Sequence, residues 1–323
     1  MLIQGFKIGH AVDQELLSGV TVVIPDRPAT AAVHVMGGAP GTRDTDLLSP
    51  EQLVQEVDAV VLSGGSAYGL DAASGVQAWL REQGRGYPVG EFRIPIVPSA
   101  ILYDLGNGGD KGWGRYPPYR ELAFEAANNL SASPAIGSVG AGIGATVAGG
   151  RGGLGIASED LSHESATSNI SVCSVVACNA VGSVHIAETE HFWAAPFEKN
   201  SEFGGRGFPN PMPEDADLII TKGSSSQKSS DKSQAGKNTT LAIVMTNAKL
   251  SQAQCKRMAI NAHDGFARAI YPVHTPSDGD IVFVLSSNEV ELEDTGIEPI
   301  HIYTVAANTV ARAIARGVYE ANL

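Results

Sequence analysis

The sequence predicts an α/β fold, and three observations carry that expectation. Short apolar runs of strand length, rich in Val, Ile and Ala, recur along the chain. Several of them end in glycine turns and feed segments whose apolar residues recur at helical spacing. With 43% hydrophobic and 18% charged residues, the 323-residue chain can bury one large α/β core or two modest ones.

The elements follow in order. Residues 20–24 and 31–36 read as strands, the second running into Gly37-Gly38-Ala39-Pro40-Gly41. Ser49-Pro50-Glu51 reads as an N-cap with proline in the first turn of a helix that ends at Val57, and 57–62 as a buried strand. That strand enters Ser63-Gly64-Gly65-Ser66 and then a helix over 70–83. This turn matches neither a phosphate loop nor a dinucleotide loop, so it serves either an anion at the helix start or close backbone packing. A strand over 94–97 precedes Tyr103, Asp104 and a polar glycine loop at 106–114, where Tyr103, Asp104 and Asn107 are placed either to line a pocket or to pack half-buried.

A second glycine-rich stretch spans 137–155. It fits a dinucleotide pattern only superficially, because the acidic residue such a site needs downstream is not clearly placed, so no cofactor is expected. Within it, Arg151 is either an exposed turn residue or a guanidinium held near developing negative charge. The β-branched run 171–177 reads as a strand followed by Asn179, whose amide either stabilises an oxyanion or caps the strand. A polar and aromatic insertion at 187–213, a short strand at 216–220 and a Ser/Lys-rich segment at 222–237 without an apolar face come next.

That segment ends abruptly at Asn238-Thr239-Thr240 and an apolar run to Met245. A hydroxyl at the first position of a buried strand, behind a flexible tether, suggests a nucleophile unmasked when the Asn238–Thr239 bond breaks. A freed Thr carries its own base, an α-amine with pKa about 8. The alternative is an Asn turn that simply starts a Thr-rich strand. Downstream, Ser251 is the N-cap of a helix to about Ile270, on which His263 reads as structural because no second ligand stands at metal spacing. Asp278 and Asp280 bracket Gly279 before a strand at 281–285, either as a pair that orients an amine or as an ordinary turn. A strand at 300–304 and a helix at 305–320 close the reading.

Composition excludes several classes. A net charge of −13 argues against nucleic acid, whose phosphates need clustered Lys and Arg. No apolar run of about 18 residues and no signal-like amino terminus are present, so a soluble, unexported, cytoplasmic chain without membrane contact is expected. The three cysteines, Cys173, Cys178 and Cys255, form no CxxC, and no metal dependence is predicted.

Seven stretches taken together resemble one family: LSGGSAYGLDAA at 62–73, GSVGAGIGAT at 137–146, GRGGLG at 150–155, NAVG at 179–182, NTT at 238–240, DGFAR at 264–268 and HTPSDGD at 274–280. In this order they resemble the L-aminopeptidase/D-esterase family, which includes β-peptidyl aminopeptidases and the nylon-oligomer (6-aminohexanoate oligomer) endohydrolases. The resemblance implies a four-layer αββα sandwich of the N-terminal-nucleophile type as a single domain. It also implies self-cleavage into chains 1–238 and 239–323, and amide hydrolysis through an acyl-enzyme on Thr239. Asn179 matches the oxyanion-stabilising Asn, Tyr103 an active-site aromatic, and Asp278 with Asp280 the acidic pair of the nylon-hydrolase branch. Arg151 stands where that branch has Lys; Arg keeps the charge but cannot accept a proton. The implied substrates are small peptides or ω-amino-acid oligomers, and the implied assembly is a homotetramer of cleaved units. Alternatives are an aminopeptidase or β-aminopeptidase with esterase activity, and an acyltransferase using the same Thr.

Overall fold

The computed structural model describes residues 3–161, 169–223, 238–292 and 298–323. Most of the proposed 222–237 tether therefore lies outside the described residues. In chain order the strands are β1 (Phe6–Asp13), β2 (Ser18–Pro25), β3 (Ala29–Val35), β4 (Thr42–Arg43), β5 (Glu56–Val57), β6 (Val60–Ser63), β7 (Tyr87–Val89), β8 (Phe92–Ile94), β9 (Ser99–Ile101), β10 (Thr146–Val147), β11 (Gly150–Arg151), β12 (Gly153–Asp160), β13 (Ser171–Asn179), β14 (Thr239–Ala248) and β15 (Ile281–Val290). The α-helices are α1 (Ala72–Glu82), α2 (Tyr119–Asn128), α3 (Gln252–Ala267) and α4 (Glu298–Ala321).

One sheet has the order β1-β2-β6-β9-β4 and the other β12-β13-β14-β15-β3-β5. Three apolar clusters fill the spaces between four layers. Val20, Val22 and Val61 of the first sheet pack on Val76 and Leu80 of α1 and Leu122 and Ala126 of α2. Val23, Val60 and Leu62 turn the other way, against Leu241, Ile243 and Phe283 of the second sheet. The outer face of that second sheet, with Ala242, Val244 and Val282, packs on Met258 and Phe266 of α3 and Val310 and Ile314 of α4. Strand side chains alternate between faces, so β2 and β14, covered on both, carry apolar residues on both faces, as in Val22-Val23-Ile24 and residues 241–245. The result is the αββα sandwich expected from the resemblance.

Strands β14 and β15 pair in parallel, joined through α3, whereas β13 and β14 pair antiparallel. Helix α3 starts as the sequence indicates: Ser251 and Gln254 form a reciprocal capping box. Among the described residues, no helix is long and apolar enough to cross a membrane.

Several local expectations are corrected. The helix expected over 51–57 does not form; a 3-10 turn at Asp46–Leu48 precedes the short edge strand β5. Leu53 is 86% exposed there, while Val57 is buried by pairing with Ala29 at the edge of the sheet. The strand at 216–220 is turn and coil with Leu218 and Ile219 exposed. The strand expected at 300–304 is the first part of α4. Its β-branched residues suggested a strand, but Ile302, Ala306 and Val310 continue one helical stripe into the core. The 57–62 run divides into β5 and β6, and the 94–97 strand is displaced to β9.

Candidate active site

Thr239 opens β14, and its antiparallel partner on β13 is Asn179. Directly opposed residues point to the same face. Thr239 and Asn179 therefore share the inner face that continues through Leu241 and Ala177, and they emerge at one end of the space between the sheets. Thr239 is 2% exposed and Asn179 1% exposed.

The chain after β9 reaches this end from the other sheet. Asn179 donates from Nδ2 to the Tyr103 carbonyl at 3.0 Å, and its Oδ1 accepts from Thr146 N–H at 3.0 Å. The same Oδ1 accepts from Lys222 Nζ at 3.0 Å, and the Asn179 carbonyl accepts from that ammonium at 3.2 Å. Burial pulls the Lys222 ammonium down to about 7, opposed only in part by Cys178 and Asp278. Tyr103, Asn107, Gly144, Thr146, Lys222 and Asn238 are among the walls of a cavity of about 210 Å³.

Because β15 runs parallel beside β14, the residues preceding both strands also meet, and Asn238 bridges Asp278. Across this junction Gly279 N–H donates to the Asn238 carbonyl at 2.9 Å, and Thr239 Oγ1 donates to the same oxygen at 2.5 Å. A Cβ at residue 279 would lie 2.6 Å from Thr239 Oγ1 and 2.6 Å from the Ala39 carbonyl, so the turn needs glycine. The Gly37-Gly38 stretch has a matching use: backbone there packs directly on the 276–280 loop.

Both carboxylates are 1% exposed. Asp278 accepts from Val181 N–H at 3.1 Å through Oδ1, and from Thr275 N–H at 3.0 Å and Thr275 Oγ1 at 2.6 Å through Oδ2. Burial, and then the neighbouring Asp280 charge, raise its pKa above the usual carboxylate range. Asp280 accepts from Thr240 N–H at 2.8 Å through Oδ1, and from His274 Nδ1 at 2.7 Å through Oδ2.

The structure thus brings together Thr239, Asn238, Asn179, Tyr103, Asp278 and Asp280. It does not bring Arg151. That residue is exposed on β11, where its N–H donates to Asn322 Oδ1 at 3.2 Å and its carbonyl accepts from Asn322 Nδ2 at 3.0 Å, and it is not a wall of the cavity. A cation does stand at the cavity: Lys222, which in the sequence marks only the start of the Ser/Lys-rich segment. The Gly279 N–H was equally missed, although its position between two acids marked the turn.

The sequence profile of peptidase family S58 matches residues 3–323. The chain belongs to peptidase family S58. Its relatives include an uncharacterized aminopeptidase of Mycobacterium tuberculosis, 37% identical over 336 residues, covering 98% of this chain and 92% of that one. A 6-aminohexanoate-oligomer endohydrolase of Kocuria is 26% identical over 300 residues, covering 90% and 75%. Among solved structures, the L-aminopeptidase D-Ala-esterase/amidase of Ochrobactrum anthropi, described as a variant of the Ntn hydrolase fold, superposes with a TM-score of 0.69 at 18% identity, covering 98% of this chain and 84% of that one. This S58 chain is therefore an amide-bond hydrolase with the Ntn hydrolase fold.

Proposed function

We propose that this S58 hydrolase is an autoprocessing N-terminal threonine hydrolase that cleaves amide bonds of small peptides or ω-amino-acid oligomers. One observation carries the reading: Thr239 Oγ1 lies against the Asn238 carbonyl while the Gly279 N–H donates to that carbonyl oxygen. A nucleophile is then next to its electrophile, with a donor already on the oxygen that becomes negative.

In processing, Oγ1 bonds to the Asn238 carbonyl carbon and loses its proton. The C–N bond to Thr239 breaks, its nitrogen takes up a proton, and water hydrolyses the resulting ester to an Asn238 carboxylate and a free Thr239 amine. Before that amine exists another base is needed. Lys222, hydrogen-bonded to Asn179 opposite Thr239 and pulled down to about 7, is suited to it. Afterwards the Thr239 amine serves as base, and Oγ1 attacks the substrate carbonyl. The substrate amine leaves with a proton, and water releases the acyl group from Thr239. Asn179 donates to the substrate oxyanion, Asp278 and Asp280 orient the amine, and Tyr103 lines the cavity that receives the substrate. Arg151 has no step in this scheme. The cleaved chains form a homo-oligomer, expected as a tetramer, and the small chain is retained because β14 is central in its sheet.

The denatured intact mass of purified wild-type protein beside Thr239→Ala, with amino-terminal sequencing of the smaller fragment, tests the reading. Fragments 1–238 and 239–323 in the wild type alone are the expected result. A single uncut chain in active protein would sink it.

A further inference from the structure

We propose that His274 is a positioning residue for this chemistry, acting on Thr239 through Asp280; the proposal rests on the reading of Thr239 as the nucleophile. His274 opens the HTPSDGD stretch, and no step of the scheme uses it.

Its backbone has φ +53°, a left-handed conformation that His and Asn adopt more readily than most residues. This turn brings both donors of one residue onto one oxygen. The His274 N–H and Nδ1 lie 3.3 and 2.7 Å from Asp280 Oδ2. The other oxygen, Oδ1, accepts from the N–H of Thr240, the residue beside the nucleophile. The terminal torsion of an Asp is broad, so one partner does not fix both oxygens. With a charge-assisted donor on the far side, Oδ1 is locked toward the start of β14. The carboxylate is then held at the backbone N–H of the residue that directly follows Thr239.

The imidazole is itself held. It stands edge-on to His263, with centroids 5.0 Å apart, and leans on Phe266 at 5.4 Å, both residues of α3. His263 is anchored in turn through Nε2 to the His34 carbonyl at 3.2 Å. Burial drives the His263 pKa down to about 3, so its ring is neutral at working pH and brings no competing charge to the pair. His274 Nε2 is enclosed with no hydrogen-bond partner among the described residues, so a proton there would find no acceptor, whereas one on Nδ1 finds Asp280.

Processing itself supplies the assay, because it needs no substrate. Wild type, His274→Leu and His274→Asn are pulse-labelled in cell-free translation, and conversion of the full chain to fragments is followed. Leu keeps bulk but removes the donor; Asn tolerates the left-handed backbone and places Nδ2 where Nδ1 was. Cleavage is expected to slow by about tenfold in the Leu variant, the scale of one charge-assisted hydrogen bond, and to return to within about threefold of wild type in the Asn variant. Equal rates in the two variants would overturn the proposal. Nitrogen-15 NMR of histidine-labelled wild type, assigned through the backbone, gives a readout independent of how the variants fold. A protonated Nδ1 on His274 is expected, and a tautomer carrying its proton only on Nε2 would overturn the proposal. A wild type that never cuts would remove the nucleophile reading and this proposal together, whereas a wild type that cuts while both variants behave alike would remove this proposal alone.

Discussion

Gly279 combines two demands, a donor aimed at the Asn238 carbonyl and no Cβ beside Thr239 Oγ1. Gly279→Ala should displace the loop and slow processing by about a hundredfold, the usual effect of losing one oxyanion donor, in a fragment time course; cleavage at the wild-type rate would leave the N–H without a role. Lys222 bears on pH. With its ammonium at about 7, the neutral form predominates above that pH and is lost below it, so the processing rate should fall about tenfold per unit below pH 7. Lys222→Arg, which keeps the charge but cannot give up its proton, should not process; if it does, Lys222 supplies charge rather than a base. From residues alone Thr239, Asn179, Asp278 and Asp280 stay open between a chemical and a structural reading, and it is the resemblance of the ordered motifs that singles them out. Lys222 is not singled out, because its place depends on the chain returning to Asn179 from a segment with no local pattern. Arg151 stands exposed, away from the cavity walls, where β10 pairs with β11 and Asn322 holds its backbone.

At the scale of elements, helix α4 lies on β12 so closely that glycine is needed on both partners. A Cβ on Gly155 would meet the Ala313 carbonyl and lie 2.6 Å from Gly317 N. Gly155→Ala should lower stability by about 3 kcal/mol, read from urea unfolding, since neither backbone can yield without moving a whole helix; an unchanged midpoint would mean the layers slide freely. The segment 300–304 is short and gives no decisive local signal, whereas the stripe of Ile302, Ala306 and Val310 has an apolar face to cover, and tertiary burial makes it helix. Where cap and pattern agreed, as at Ser251 and α3, the local reading and the structure coincide.

For the whole molecule, burial lowers His10 to about 4 and His263 to about 3, both from 6.5. Between those values and 6.5 the unfolded chain binds more protons than the folded one, so these two rings make stability rise with pH through that window and fall as acid is added. The urea midpoint should drop from pH 6.5 to 4, and drop less in His263→Gln; an identical pH dependence in the variant would exclude that ring as a cause. The sequence by itself determined the α/β class, most of the buried strands and the α3 cap, because burial on two faces and capping write themselves as apolar runs and as local polar residues; the αββα layering was implied only by resemblance of its ordered motifs to a family. Only the tertiary structure decided which cation stands at the cavity, which amide meets the Asn238 carbonyl and that His274 backs Asp280. Those contacts join residues distant in the chain or depend on how a loop turns, and local pattern specifies neither.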